Sequence, residues 1–338
     1  DADALERGHR VTDVVLDKTG TVTTGKMEVH EVLNTSDKMN WSILEAIESL
    51  SEHPLADAIV GYIRNQELPS AEKPVIESFE AIIGHGAIAT HDGKQYRVGK
   101  PSWIISEGVE WDDEAEAWTV IQGENARSVV AFSVESELLG LFAIADPVKP
   151  EAAEAVQRML RKGISVHLLT GDHISTATAV AREVGIDHVK AEVEPDEKYE
   201  YVEALQHSGK HVAMVGDGIN DAPALAQSDV GIAMGTGTDV AIESADITLM
   251  RSSLHGISDI IGISSETMKN IKQNLWGAFI YNSLGIPIAA GLLFPFTGWL
   301  LSPIIAGAAM SLSSITVVSN ANRLRLYTPK SVNKKIGD

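Results

Sequence analysis

The sequence contains no cysteine. Disulfides and thiolate metal sites are therefore excluded within it, and thiol usage says nothing about compartment. Positive charge is also in short supply: 27 Lys and Arg stand against 47 Asp and Glu, a formal net charge of -20. Such a chain repels phosphodiester backbones, which argues against nucleic acid as a partner. It does not argue against a nucleotide, which needs only a local positive pocket and a metal ion; the acidity itself reads as a solvated surface. No cleavable leader is visible, because residues 1–10 are charged and do not start with Met; the chain reads as the C-terminal part of something longer. The third lack is local: from Gln273 to Asn322 there is no acidic or basic side chain at all.

What remains is enough for two or three compact units, with 338 residues of which 44% are apolar. The run Val11–Leu16 is apolar and β-branched, and Asp17-Lys18-Thr19-Gly20-Thr21 follows it. A carboxylate leaving a buried strand beside a glycine and several threonines can hold a phosphoryl group: the carboxylate attacks phosphorus while loop amides and hydroxyls bind its oxygens. Residues 34–139 differ in character, with helix-like Trp41–Leu50 and Ala56–Arg64, a linker broken at Pro69 and Pro74, and short strands with glycine turns. They are expected to form an inserted domain. Asp112, Asp113, Glu114 and Glu116 are expected in a solvated loop.

Strands then alternate with helices. Ser165–Leu169 ends at Thr170-Gly171-Asp172, Ile174–Val184 is a helix stopped by Gly185, and His211–Val215 runs into Gly216-Asp217-Gly218-Ile219-Asn220-Asp221. Alternation implies a parallel sheet, and ligands of such sheets bind beyond the C-terminal strand ends. Asp17, Thr170 and Asp217 all fall at those ends. Hard cations prefer carboxylate oxygen, so Asp217 is the best candidate ligand for Mg²⁺, with Asp221 in support and the Thr19 carbonyl completing the protein side. Thr170 can bond a phosphoryl oxygen and Lys198 can neutralise its charge.

The Asp17–Thr21 motif resembles the phosphorylation motif of P-type ATPases, and Met214–Leu225, MVGDGINDAPAL, narrows a likeness to the haloacid-dehalogenase superfamily to the same family. Ser51-Glu52-His53-Pro54-Leu55 resembles the His-Pro motif of its heavy-metal-transporting branch. The resemblance implies an α/β, haloacid-dehalogenase-like phosphorylation domain over 1–33 and 140–268, an α+β nucleotide-binding domain over 34–139, and ATP as substrate. It implies catalytic roles for Asp17, Thr170, Asp172 and Lys198, and nucleotide or cofactor contacts at Glu52, His53, Gly84, Gly86, Thr19, Asp146 and Asn220. One departure stands out: Gly99-Lys100 occupies the place where the family has Gly-Asn. A soluble-type phosphatase domain of the superfamily, tethered to a membrane, is the alternative, but those phosphatases usually carry a second Asp two residues after the nucleophile. Thr19 stands there instead and cannot act as a general base at neutral pH.

The charge-free stretch fits two membrane crossings, expected at 274–296 and 299–320, since each needs roughly 20 residues. Pro295-Phe296-Thr297-Gly298 would be the turn, Trp276 and Trp299 would lie at opposite interfaces, and residues 321–338 would be a cytoplasmic tail. Lys269, Lys272, Arg323 and Arg325 flank the stretch and favour the cytoplasm at both ends. Met310 and Ser314 share a helical face, and a thioether suits Cu⁺. The pattern N-x6-YN-x4-P then M-x2-SS-x5-N resembles the last two spans of Cu⁺-exporting P-type ATPases, which implies that Tyr281, Asn282, Met310 and Ser314 line the ion path. Ag⁺ and divalent heavy metals are the alternative cargoes. The expected setting is a multi-pass plasma-membrane protein with its phosphorylation and nucleotide domains in the cytoplasm, supplied by a metallochaperone or upstream metal-binding domain.

Overall fold

The computed structural model describes residues 2–66, 74–290, 292, 294–298 and 302–328. Pro69, Trp299 and the tail beyond 328, all named above, lie outside the described residues, as does the side chain of Tyr281. In chain order the first elements are α1 (Ala2–Gly8) and β1 (Asp13–Asp17). Every residue of β1 is buried, as the apolar run requires, and Asp17 is its last residue.

An antiparallel six-stranded sheet follows. It contains β2 (Glu28–Asn34), β3 (Ser78–Ile82), β4 (Gly86–His91), β5 (Lys94–Gly99), β6 (Ser128–Val134) and β7 (Glu137–Ala145), in the order β2-β7-β6-β5-β4-β3. It is wider than residues 34–139, because β2 and β7 pair with each other in register Val32↔Phe142 and Leu33↔Leu141. Two helices, α2 (Trp41–Glu48) and α3 (Pro54–Asn65), pack on one face around Leu44, Ile47, Ile59, Phe132 and Phe142. A second cluster, of Trp103, Ile104 and Leu141, includes residues of α4 (Pro101–Ser106) and gathers Ala115 of α5 (Asp113–Glu124). The acidic residues expected in a loop instead start α5. Asp112 is its N-cap, accepting the Ala115 amide at 2.7 Å, and Asp113, Glu114 and Glu116 fill the first turn. Carboxylates satisfy and complement the exposed amides of a helix start, which charge density alone did not reveal.

The remaining elements are α6 (Ala152–Leu160), β8 (Ser165–Leu169), α7 (Ile174–Val184), β9 (His188–Lys190), α8 (Pro195–His207), β10 (Val212–Gly216), α9 (Ala222–Gln227), β11 (Val230–Met234), α10 (Asp239–Ser244) and β12 (Ile247–Leu249). Their strands belong to a sheet of order β12-β11-β10-β1-β8-β9. β10 with β11, β11 with β12 and β8 with β9 pair in parallel. Helix α7 ends where expected, with Gly185 left-handed at φ 78°.

The last part is α11 (His255–Ala289), α12 (Phe294–Thr297) and α13 (Pro303–Asn322). Among the described residues no helix is long and apolar enough to cross a membrane. The helix expected to begin at 274 is one continuous helix from 255, and Asn274, Asn282 and Ser283 dilute its apolar part. α11 and α13 meet through amides: Asn320 Nδ2 donates to Asn274 Oδ1 at 2.9 Å, and Asn270 Nδ2 to the Asn320 carbonyl at 2.7 Å.

Candidate functional site

The loop leaving β1 is shaped by Gly20, at φ 69°, and closed by Thr23, whose amide and hydroxyl both donate to the Lys18 carbonyl at 3.0 Å. Asp146 anchors the next turn. Its carboxylate accepts from the Thr23 hydroxyl at 2.6 Å, the Thr24 hydroxyl at 3.2 Å and the Gly25 amide at 2.9 Å. Lys149 Nζ donates to the Gly20 carbonyl at 2.8 Å. Asp146, named above for the cofactor, thus orders the turn that follows the loop carrying Thr19. Lys149 was not expected at all, and its only sequence signal was its place in Asp146-Pro147-Val148-Lys149.

At the end of β8, buried Thr170 accepts the Asp172 amide on its hydroxyl at 3.1 Å. Asp172 pairs with Lys18 at 2.7 Å, and the lysine side chain is only 7% exposed. The ion pair thus joins the residue after Asp17 to the loop that follows β8. Lys18, Thr19, Asp146, Asp172, Arg127 and Arg182 are among the walls of a cavity of about 660 Å³.

At the end of β10, Asp221 folds back under its own loop. One carboxylate oxygen accepts Lys198 Nζ at 2.7 Å; the other accepts the Gly218 and Asp217 amides at 3.0 and 3.3 Å. A Cβ at Gly216 would lie 2.6 Å from that oxygen, so only glycine fits there. Lys198, on α8, and Asp221 are both buried, while Asn220 is exposed. Asp217 and Asp221, four residues apart at the end of β10, each offer carboxylate oxygen. Such carboxylates have the hard-oxygen chemistry that Mg²⁺ takes.

In the antiparallel sheet, His53 is exposed and caps α3, its Nδ1 accepting the Leu55 amide at 3.2 Å; Glu52 is exposed beside it. Gly84, at φ 78°, turns β3 into β4. Gly86 faces Gly99 across β4 and β5 so closely that a Cβ on Gly86 would sit 2.1 Å from the Val98 carbonyl. Lys100 donates its amide to the His85 carbonyl at 2.9 Å, and the His85 ring lies 6.2 Å from that of Trp103. Trp103 was not expected in this strip, and Gly99, named only for the Gly-Asn position, was not expected to face Gly86, for want of any local pattern that marks a glycine as facing another strand.

In the helical hairpin, Asn282 Nδ2 donates to the Ala278 carbonyl and Ser314 Oγ to the Met310 carbonyl, each one turn back on its own helix. Met310 is exposed.

A family model described as haloacid dehalogenase-like hydrolase matches residues 14–229, and a second of that description matches 199–261. The chain belongs to the haloacid dehalogenase-like family. Within it, the likeness is to heavy-metal P-type ATPases. It is 47% identical over 341 residues to the probable copper-transporting ATPase PacS of Synechocystis sp., covering 97% of this chain and 45% of that protein. It is 48% identical over 327 residues to the copper-exporting P-type ATPase of Vibrio cholerae, covering 96% and 35%. Among solved structures, a zinc-transporting PIB-type ATPase in an E2.Pi state matches with a TM-score of 0.81 and 32% identity, over 95% of this chain and 51% of that one. The catalytic domain of the CPx-ATPase CopB-B matches at 0.58 and 26%, over 77% and 93%. The chain spans less than half the length of these curated relatives.

Proposed function

We propose that this chain is the C-terminal catalytic part of an ATP-driven exporter of a soft monovalent metal ion, Cu⁺, working through an aspartyl phosphate on Asp17. The observation that carries the reading is the end of β10: a buried lysine and Asp221 hold the Asp217 loop, while Asp17 ends the strand that neighbours β10 in the sheet order. Phosphoryl transfer asks for little beyond such positioning and charge neutralisation.

ATP docks with its adenine near His53 and the Gly84/Gly86 strip, with Glu52, Asp146 and Asn220 around the nucleotide. A carboxylate oxygen of Asp17 attacks the γ-phosphorus. The bond between that phosphorus and the bridging β,γ-oxygen breaks, ADP leaves, and the carboxylate becomes an acyl phosphate. Asp17, Asp217 and the Thr19 carbonyl would hold Mg²⁺, with Asp221 behind them; when bound, the ion supplies charge neutralisation at the transferring group. Thr170 donates to a phosphoryl oxygen, Lys198 offsets its charge, and Asp172 keeps Lys18 in place. With Thr19 where a phosphatase has its second Asp, no base is built in to hydrolyse the product, and the phosphoenzyme persists long enough for a conformational step.

The helical part is read as a membrane hairpin, entering and leaving on the cytoplasmic side of the plasma membrane. Support comes from the absence of acidic or basic residues over 273–322 and from large apolar side chains turned outward, Trp276, Phe279, Leu284 and Ile286 among them. Tyr281, Asn282, Met310 and Ser314 line the Cu⁺ path. No carboxylate is available in that stretch for a divalent ion, which favours Cu⁺ or Ag⁺. A metallochaperone or an upstream metal-binding domain delivers the ion.

The test is acid-quenched labelling with ATP radiolabelled at the γ-phosphate, in the presence of Mg²⁺. An acid-stable, hydroxylamine-sensitive label that disappears in Asp17→Asn is expected. Label that turns over as fast as it forms would favour the tethered phosphatase; no label in the chain joined to its upstream part would end the pump reading.

A further inference from the structure

Helix α11 carries a glycine where a helix has no use for one. Gly262 lies in its third turn, where glycine costs about 1 kcal/mol relative to alanine. A Cβ at that position would lie 2.7 Å from the Tyr327 hydroxyl oxygen and 3.5 Å from Lys162 Nζ. Tyr327 directly follows the short turn Arg323–Leu326 that ends α13, and its amide donates to the Leu324 carbonyl at 3.1 Å. The phenol therefore reaches back from the end of the hairpin to the beginning of α11 and occupies the space of the missing side chain.

It arrives at a fastened junction. One turn below Gly262, Arg158 of α6 pairs with Asp259 at 2.6 Å, both side chains nearly buried. Lys162, just past the end of α6, donates to the Ser258 carbonyl at 2.7 Å. Burial pushes the Tyr327 hydroxyl pKa up, and the Asp259 and Glu266 carboxylates push it further, with Arg158 opposing them; all three groups thus lie within its electrostatic reach.

We propose that Tyr327 is a positioning residue: seated on Gly262, it fastens the C-terminal end of α13 to the α6–α11 junction, so that movement of the hairpin reaches α6 of the phosphorylation module. The contact stands on geometry alone; its use in transport rests on the pump reading above. Three cross-connections then meet within about two turns of α11: an ion pair, a lysine on a carbonyl, and a phenol on a glycine. The first two join α6 to α11, and only the third brings in α13.

A double-mutant cycle in the full chain tests the seat, because it predicts that the gain depends on the phenol. Gly262→Ala should stabilise any ordinary helix interior. With Tyr327 in place that gain should be lost, since the new methyl displaces the hydroxyl. In a Tyr327→Phe background the clash is gone and the same substitution should stabilise. An equal effect of Gly262→Ala in both backgrounds overturns the seat. A benzophenone side chain at position 327 gives the direct readout. It should photo-crosslink to residues 258–266, and Gly262→Ala should lower that yield about tenfold, the shift that about 1.4 kcal/mol of steric cost produces. Crosslinks confined to other segments overturn the proposal. Transmission is read separately as hydrogen exchange of α6 on adding Cu⁺ to the lipid-reconstituted chain. A response present in the wild type and absent in Tyr327→Ala supports it; no response in the wild type, or one retained in the variant, overturns it. The mutant cycle and the crosslink need neither Cu⁺ nor the Asp17 label, so a failed pump reading and a failed seat give different results.

Discussion

Lys198 Nζ lies 2.7 Å from Asp221 Oδ1, with the lysine side chain 9% exposed and the aspartate 2%. Two charges that far from water are tolerable only as a hydrogen-bonded pair, and the second aspartate oxygen is spent on the Asp217 and Gly218 amides. The pair therefore fixes the loop that presents Asp217. Lys198→Ala should strand a buried carboxylate and cost about 3 kcal/mol in urea unfolding, as breaking one side of a buried pair does. It should also abolish labelling of Asp17. A loss of less than about 1 kcal/mol would mean that the carboxylate is rescued by water or protonation and that the pair does not hold the loop.

Gly216 makes the same point from the backbone. Its Cβ would stand 2.6 Å from Asp221 Oδ2, which the Asp217 and Gly218 amides hold, and 2.7 Å from the Asp221 Cβ, which moves only with the backbone. Gly216→Ala is expected to cost about 1–3 kcal/mol through overpacking, and to weaken Mg²⁺-dependent labelling because Asp221 must leave its place under the loop. Normal labelling at saturating Mg²⁺, together with unchanged thermal stability, would refute this account.

The sites legible in the sequence were those where one short run carries both the turn and the chemistry. Asp17 through Thr21 and Asp217 through Asp221 each end a strand and supply their own ligand groups, so their positions followed from strand–helix alternation. What was not legible depended on partners far apart in the chain. Asp146 holds Thr23 and Gly25 across about 120 residues, Lys18 meets Asp172, and Gly86 needs Gly99 opposite it. The acidic run at 112–116 misled because a solvated loop and a helix start share a composition and differ only in where the first free amides point. The hairpin was readable as charge-free but not as continuous with 255–273, since apolar periodicity carries no mark of where one helix stops belonging to a sheet domain.

His53 allows capping and nucleotide binding to be separated. Its Nδ1 caps α3, so loss of the ring should cost helix stability as well as any contact with adenine. Asparagine is at least as good a cap. His53→Asn should therefore leave the thermal midpoint within a few degrees of the wild type while lowering ATP affinity about tenfold, the equivalent of about 1.4 kcal/mol. Equal affinity of the two proteins in a titration would remove His53 from the nucleotide site and leave it as a helix cap.

Glu48 closes α2 inside the core that α2 and α3 share with the antiparallel sheet, and burial pushes its pKa from 4.5 up to about 7. The folded state therefore binds a proton that the unfolded state releases between those values. Its contribution to stability is fully present below about pH 4.5 and is lost as pH rises through about 7. A shift of about 2.5 units corresponds to a swing on the order of 3 kcal/mol across that window. Glu48→Gln keeps the shape and removes the titration. It should unfold at a nearly pH-independent urea midpoint between pH 5 and 8, as far as this group is concerned, and exceed the wild type in stability at the upper end, where the wild type must hold a buried carboxylate. Parallel pH profiles for the two proteins would show that Glu48 is solvated or paired in solution, and that the neutral acid is not what the α2 core accommodates.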